Sequence, residues 1–199
     1  TQGVAHLVEH MLFKGTRRRD AREISEAIEG VGGYINAYTS REETAYYVHI
    51  LPEHAALAVD VLSDMLTESV LDATELERER GVIIQEIGQA YDNPEDYIFD
   101  CVQEVAFPAQ GLGWPILGQA SNIAQMPRHA LQDYLTQHYH ASAMLLAGAG
   151  RIEHEQLLVL AERFCGKFPT GTSRTRLAAR YCGGRRHEPR PLEQQHLVL

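Results

Sequence analysis

The stretch from which the fold prediction starts is residues 3–16, which read GVAHLVEHMLFKGT. His6 and His10 are four residues apart, so on a helix both imidazoles leave the same face, one turn apart. Glu9 lies beside them, and Gly15 is placed to end the helix. The residues at helical spacing that form the apolar stripe are Val4, Leu7, Val8, Met11 and Leu12. The stretch therefore predicts an amphipathic helix with two histidines and a carboxylate outside its apolar stripe.

A metal site is the chemistry that these histidines indicate. Two neutral imidazoles one turn apart can bind a single Zn²⁺ ion, and a neighbouring carboxylate such as Glu9 can take a proton from water. The spacing H-x-x-E-H is that of the inverted zinc-peptidase motif. Because so short a pattern also arises by chance, the alternative is an amphipathic helix with two solvated histidines.

A second charged helix is predicted from Asp72 to about Ile87. Asp72 is placed as the N-cap, and Glu75 follows three residues later, close to a capping box. Glu79 and Glu86 are seven residues apart, so they share one face of the helix. Buried carboxylates are unfavourable unless they are paired or bound to a metal, so this face indicates a site. The alternative is a solvated acidic helix.

The two stretches together resemble the pitrilysin (insulinase-like) family of zinc metallopeptidases. The matching segments are HLVEHMLFKGT, from residue 6, and ERERGVIIQEIGQAYDNP, from residue 77. They are most similar to the branch that contains the mitochondrial processing peptidase β subunits and their bacterial relatives. The resemblance implies that His6, His10 and Glu86 bind one Zn²⁺ per chain. It further implies that Glu9 is the general base and that Glu79 supports the site without binding the metal.

The predicted fold class is α+β, an antiparallel-dominated sheet with helices packed mainly on one face. The resemblance implies that residues 1–168 are the zinc-binding catalytic half, one of two related halves, with the family's upstream strands missing. Residues 169–190 are rich in Gly, Thr, Ser and Arg and predict a linker. Residues 191–199 predict a further strand, and the resemblance implies that it is the first strand of a second, truncated half.

A β-hairpin is predicted from alternating residues over 34–40 and 44–51, joined by residues 41–43. The family resemblance implies that Asn36, Ala37 and Tyr38 belong to an edge strand that pairs with an extended peptide substrate. Such pairing uses main-chain hydrogen bonds and so tolerates many peptide sequences. The alternative is an interior hairpin strand with no ligand.

The remaining secondary structure is predicted from apolar spacing. Helices are expected over residues 22–31, 52–69, 95–107, 127–138 and 153–168, and a buried strand over 142–148. Loop 111–118 contains the only tryptophan and is expected near the rim of the cleft. His138 and His140 follow a helix end and are interpreted as surface histidines rather than metal ligands.

Charge and composition restrict the partners and the compartment. The net charge of −9 argues against nucleic acid as a partner. No apolar run approaches the ~20 residues that cross a membrane, and no signal peptide is visible. Three scattered cysteines are interpreted as reduced thiols. These features predict the bacterial cytoplasm, with the mitochondrial matrix as the alternative.

The predicted function is that of a zinc-dependent endopeptidase acting on peptides or extended polypeptide segments. The alternative is a non-catalytic scaffold or partner subunit of a heteromeric peptidase-like complex. A structural zinc domain is a weaker alternative, because such a site uses four protein ligands and three are found. The family completes its cleft with groups from a second half. We therefore expect the isolated piece to bind zinc yet cleave poorly without a second homologous half, a partner subunit or a homo-oligomer.

Overall fold

The computed structural model describes residues 2–171 and 178–199 of the chain. These residues form eight α-helices and one two-stranded antiparallel sheet, which confirms the α+β prediction with helices dominating. The helices are α1 (Val4–Leu12), α2 (Ala21–Glu29), α3 (Ala55–Glu68), α4 (Ala73–Asp92), α5 (Pro94–Ala106), α6 (Ala120–Gln125), α7 (Arg128–His138) and α8 (His154–Cys165). The strands are β1 (Tyr34–Thr39) and β2 (Thr44–His49). None of the described helices combines the length and the apolar content that crossing a bilayer requires.

Helix α1 lies in the main hydrophobic core and contacts α4, α7 and β1. Four residues of its apolar stripe are completely shielded from solvent, namely Leu7, Val8, Met11 and Leu12. Burying a side chain of this size stabilises the fold by roughly 1.5–3 kcal/mol. The helix begins after Gly3, whose φ is 81°, and a Cβ atom at this position would lie only 2.7 Å from the carbonyl oxygen of Leu117. The apolar stripe thus fixes α1 so that its polar face points toward α4 and β1.

Helix α4 begins after Asp72, as the sequence predicts, but it continues to Asp92, past the predicted end near Ile87. The side chain of Asp72 accepts hydrogen bonds from the backbone N–H groups of Thr74 and Glu75, at 2.8 and 3.1 Å, and so caps the helix. Leu76 and Ile83 are buried on the side that faces α1, and the Glu79 carboxylate between them is buried as well. This packing brings the acidic face of α4 against the histidine face of α1.

The hairpin forms a second core with α2 and α3. Its register runs from Tyr34 opposite His49 to Thr39 opposite Thr44. The buried residues of this core are Ile24, Ile28, Ile35, Val61 and Met65. Both helices pack on the face of the hairpin from which Ile35 points. At the turn end of the hairpin, the hydroxyl of Thr39 bonds to Glu9 of α1.

Two strands that the sequence predicts are absent from the described residues. A short 3₁₀ helix, Ala141–Ala143, is followed by irregular backbone over residues 144–148, and Leu145 is 91 % exposed. Residues 191–199 are irregular too, and Leu197 is 79 % exposed. A strand needs a neighbour for its backbone hydrogen bonds, and among the described residues β1 and β2 pair only with each other. The apolar composition of these two segments favours a strand, but it does not specify a neighbouring strand with which the segment could pair.

Polar contacts hold the C-terminal segment, residues 178–199, along α5. The Cys182 N–H donates to the carbonyl of Ala106 at 2.8 Å, and the guanidinium of Arg190 lies 4.0 Å from the ring centre of Tyr91 and 4.3 Å from that of Tyr97. Part of the predicted linker, residues 172–177, lies outside the described residues. The division into domains at 168 and 190 stays a prediction.

One histidine prediction is wrong. His140, interpreted as a surface residue, is only 4 % exposed, and its Nδ1 lies 2.9 Å from the hydroxyl of Ser142. Ser142 also donates to the carbonyl of Gly171 at 2.6 Å, so the pair joins two loops. Sequence spacing alone could not reveal this loop-to-loop contact.

Candidate metal centre and cleft

Three side chains converge where α1 faces α4. His6, His10 and Glu86 each present one ligand atom, and these atoms lie within 4.8 Å of one another. The Nε2 atoms of both histidines are 3.8 Å from Oε2 of Glu86. A separation of 3.8 Å is too long for a hydrogen bond, so the three groups surround a point without bonding to each other. These are the three residues that the sequence predicts as metal ligands.

The donor set fits a zinc ion. Zinc binds imidazole nitrogen and carboxylate oxygen at about 2.0–2.2 Å, which places neighbouring ligands about 3.4 Å apart in a tetrahedral site. The observed 3.8 Å separations need only a small contraction to reach that value. Burial, and next the nearby His10, lower the pKa of His6 to about 4, so its imidazole is neutral near pH 7. The neutral imidazole is the form that binds a metal, and it forms no ion pair with Glu86.

Glu79 orients one of the two histidines. Its Oε2 accepts a hydrogen bond from His10 Nδ1 at 2.8 Å, and its Oε1 lies 2.8 Å from Lys14 Nζ. Burial alone would raise the pKa of Glu79, but the bonds from Lys14 and His10 outweigh it and hold that pKa below the ordinary value. The ionised carboxylate therefore fixes the proton of His10 on Nδ1. The Nε2 atom is left unprotonated and available at the point where the three side chains converge. His6 lacks this support, because its buried Nδ1 has no partner among the described residues.

Glu9 stands beside this point on the wall of a cleft of about 490 Å³. Burial raises the pKa of Glu9, and the Glu86 carboxylate raises it further, against the lowering effects of Thr39 and His10. One carboxylate oxygen, Oε2, accepts a hydrogen bond from the hydroxyl of Thr39. A carboxylate with a raised pKa that borders a cleft is suited to take up a proton from a bound molecule.

The predicted substrate strand borders the same cleft in part. Ala37 and Tyr38 line it, whereas Asn36 is not among the lining residues, and its Oδ1 accepts from the Ala37 N–H at 2.8 Å. On one side β1 pairs with β2, and no strand of the described residues pairs with its other side. Ile116 and Leu117 of the predicted rim loop also line the cleft.

Sequence reasoning missed two contacts at the cleft. The alternating pattern presents Thr39 and Thr44 only as hairpin positions, although Thr39 reaches Glu9 across 30 residues of sequence. Arg41, which the pattern places in the hairpin connection, pairs with Asp100 of α5 at 2.6 Å, and both residues line the cleft. Since each contact joins distant segments, a single sequence carries no signal for it beyond the polar character of the residues.

Family models match the chain over almost its whole length. Residues 1–120 match the model of insulinase (peptidase family M16), and residues 125–199 match that of the peptidase M16 inactive domain. The first match alone spans more than half of the 199 residues.

Individual relatives agree with these models. The chain is 44% identical to the mitochondrial-processing peptidase subunit beta of Saccharomyces cerevisiae over 171 residues, 86% of this chain and 37% of that protein. It is 35% identical to an uncharacterized zinc protease of Rickettsia felis over 198 residues, 100% of this chain and 48% of that protein. The chain therefore spans less than half the length of these curated relatives.

Solved structures share the fold. The structure of a protease from Helicobacter pylori superposes with a TM-score of 0.81 over 87% of this chain and 42% of that one, at 19% identity. At that identity the likeness concerns the fold alone. It is the two family models, taken with the convergence of His6, His10 and Glu86 beside Glu9, that define the relationship. The chain belongs to the insulinase family of peptidases, family M16.

Proposed function

We propose that the protein containing this chain is a zinc-dependent endopeptidase that cleaves peptides or extended polypeptide segments. The observation that carries the proposal is the convergence of His6, His10 and Glu86 on one point beside the carboxylate of Glu9. Family membership supports it, because the matching family is one of peptidases. The complete protein, rather than this chain alone, is the subject of the proposal.

His6, His10 and Glu86 would hold one zinc ion per chain. Three protein ligands are the number that catalytic zinc sites use, which leaves a position for water or substrate. When bound, zinc would supply Lewis acidity to the attacking water and to the peptide carbonyl. Glu79 keeps His10 in the tautomer whose Nε2 is available, and so acts on the site through His10.

Glu9 would perform the proton transfers. Its carboxylate takes one proton from the attacking water as the water oxygen bonds to the peptide carbonyl carbon. It then delivers that proton to the amide nitrogen as the carbon–nitrogen bond breaks, giving one new carboxyl terminus and one new amine. The pKa of Glu9, raised by burial, brings its basicity closer to that of a group working near neutral pH.

The peptide would lie along the open side of β1. Main-chain groups of Asn36, Ala37 and Tyr38 would pair with an extended segment, and Ala37 and Tyr38 already border the cleft. The Ala37 N–H, which donates to Asn36 Oδ1 in the free protein, would exchange that partner for a carbonyl of the peptide. Pairing through the main chain would select for extended conformation more than for side-chain identity.

A second homologous half would complete the cleft, supplied by the same polypeptide, a partner subunit or a second copy. The basis is that this chain matches only 37% and 48% of the two relatives described above. The cellular compartment that we propose is the bacterial cytoplasm, with the mitochondrial matrix as the alternative.

The experiment that tests the function measures zinc content and peptide hydrolysis of the full-length protein. We expect one zinc per chain, loss of hydrolysis with a chelator, and recovery when zinc is restored. Hydrolysis that survives complete removal of zinc would contradict the mechanism. A folded, zinc-loaded protein that cleaves no unfolded polypeptide, even with its partner present, would favour the non-catalytic scaffold instead.

A further inference from the structure

We infer that Thr39 and Thr44, here called the threonine clamp, position the Glu9 carboxylate so that one chosen oxygen faces the reacting water. This inference rests on the proposed function, since it assigns Glu9 the role of base. It concerns two side chains of the hairpin that the family motif and the metal ligands do not include. Thr39 is proposed as a positioning residue, because it acts through Glu9.

The contacts of the clamp run from the hairpin to α1. The hydroxyl of Thr39 donates to Oε2 of Glu9, and Oγ1 of Thr39 lies 3.2 Å from Oγ1 of Thr44. Thr39 and Thr44 are opposite each other in the last register pair before the turn. The clamp therefore ties the end of the sheet to the helix that carries the motif histidines.

Proton counting fixes the direction of both bonds. An ionised carboxylate only accepts, so the single hydroxyl proton of Thr39 must go to Glu9. Thr39 then has only acceptor capacity left, and the bond from Thr44 must be donated by Thr44. In this arrangement both hydroxyls point toward the carboxylate, and Thr44 has a further side-chain hydrogen bond with Tyr139.

The bond from Thr39 gives the two carboxylate oxygens of Glu9 different roles. Oε2 is engaged by Thr39, so Oε1 is the oxygen that takes the proton from water. When Oε1 becomes protonated, Oε2 still accepts from Thr39, and the bond can persist through both proton transfers. The clamp holds the base in place and passes no proton itself.

The hairpin is built to hold the clamp in position. Ser40, next to Thr39, closes the turn with a backbone bond to Glu43 of 2.7 Å and with its own side chain on the same residue. Threonine is branched at Cβ and has few side-chain rotamers, so its hydroxyl is well directed once the backbone is fixed. Thr39 is also only two residues from Ala37 on β1. A peptide that pairs with β1 would steady the strand that orients the base.

The test replaces the hydroxyl without changing the shape of the side chain. In the zinc-loaded full-length protein, Thr39→Val should lower kcat about 10–100-fold, the range for losing a partner that orients a catalytic group. KM and zinc content should change less than about twofold, because the Thr39 hydroxyl bonds to Glu9, whereas the proposed peptide pairing uses the main chain of β1, which Thr39→Val leaves intact. Thr39→Ser restores the hydroxyl and should bring kcat back to within about threefold of the wild type.

A matched control separates the clamp from a general effect of threonine removal. Thr67 donates to the carbonyl of Ser63 at 2.7 Å on α3, far from Glu9 in sequence and on a different element. Thr67→Val should leave kcat and KM unchanged. Wild-type kcat in Thr39→Val, or a Thr39→Ser variant as impaired as Thr39→Val, would overturn the inference.

A spectroscopic measurement keeps the clamp testable apart from activity. The carboxylate stretching band of Glu9, identified by its loss in Glu9→Gln with isotope-edited infrared spectroscopy, should shift in Thr39→Val and return in Thr39→Ser. An identical band in the wild type and both threonine variants would overturn the clamp even if the protein is an active peptidase. A wild-type protein without hydrolysis would overturn the proposed function, while the infrared result would still decide whether the clamp exists.

Discussion

The metal-site region, residues 2–139, and the C-terminal region, residues 140–171 and 178–199, are stabilised in different ways. In the metal-site region two apolar cores enclose whole side chains, with Leu7 and Ile83 at 0 % exposure. In the C-terminal region His140 is the one enclosed residue among those described, and α8 has no fully buried side chain. Both regions contain helices with similar apolar spacing. A periodic pattern therefore encloses whole side chains where several elements pack on it, as α4, α7 and β1 do on α1, whereas α8 packs mainly on α3 and encloses none.

The geometry of the proposed site depends on the enclosed apolar cores of the metal-site region. His10 and Glu86 lie on helices joined by a continuous core, and Glu9 is fixed by a sheet that rests on a second core. A catalytic group must be held within a fraction of an ångström, which a frame of interdigitated side chains can provide. The variants below alter the two regions separately, beginning with the largest expected effect.

The strongest prediction separates metal binding from proton transfer on α1. His10→Ala should lose the zinc and the activity together, because two ligands hold the metal poorly. Glu9→Gln should keep the zinc and lower kcat about 10²–10⁴-fold, the usual contribution of a general base. Zinc analysis and steady-state kinetics of both variants provide the measurement, with Glu77→Gln as a control on the exposed side of α4. If Glu9→Gln loses zinc as completely as His10→Ala, the assignment of ligand and base is wrong.

The second prediction compares the stability of the two regions directly. Leu7→Ala empties a fully enclosed position and should lower the free energy of unfolding by about 2–5 kcal/mol. Leu158→Ala, at a position of α8 that is 50 % exposed, should cost less than about 1 kcal/mol. Urea denaturation of the full-length protein, followed by circular dichroism, measures both. Equal losses in the two variants would show that the C-terminal region is packed as firmly as the metal-site region.

The third prediction concerns the carboxylate behind His10. Glu79→Gln should weaken zinc binding about 10–100-fold, since the amide cannot hold the Nδ1 proton of His10 as an ionised carboxylate does. Lys14→Met removes the other partner of Glu79 but leaves the bond to His10, so its effect on zinc affinity should be smaller. Competition with a chelator of known affinity gives both values. An effect of Lys14→Met as large as that of Glu79→Gln would contradict the role assigned to the bond between Glu79 and His10.

The fourth prediction tests the open side of β1. Ala37→Pro removes the N–H that donates to Asn36 Oδ1 and should weaken the binding of an extended peptide about 3–10-fold, with zinc content unchanged. Ala37→Gly keeps the N–H and is the matched control. Binding is measured with a labelled peptide on the Glu9→Gln protein, which should bind without cleaving. Unchanged affinity in folded Ala37→Pro would contradict strand pairing with the substrate.

The sequence predicts the metal-site region better than the C-terminal region. Periodicity locates α1 and α4, the H-x-x-E-H spacing indicates His6 and His10, and the family resemblance adds Glu86, the third side chain that converges between the helices. The strand expected at 142–148 is absent, because strand formation depends on a neighbour that no local pattern specifies. The contact from Thr39 to Glu9 is hidden from the sequence for the same reason. Local sequence predicts which residues form helices and turns, whereas contacts between distant segments decide which of them are held precisely.

The last and smallest prediction examines how the C-terminal segment is held. The guanidinium of Arg190 stacks on Tyr91 and Tyr97, and a cation–π contact near the surface contributes about 0.5–1 kcal/mol. Arg190→Ala should therefore increase hydrogen exchange at the amide of Cys182, whose N–H bonds to Ala106 at 2.8 Å, by about two- to fivefold. Exchange at the amide of Leu12 in α1 should stay unchanged, and Arg185→Ala, at an exposed position nearby, is the control. Faster exchange at both amides would mean that the segment stabilises the metal-site region as well, so that the two regions unfold together. An unchanged Cys182 amide would instead indicate that the backbone bonds hold the segment without Arg190.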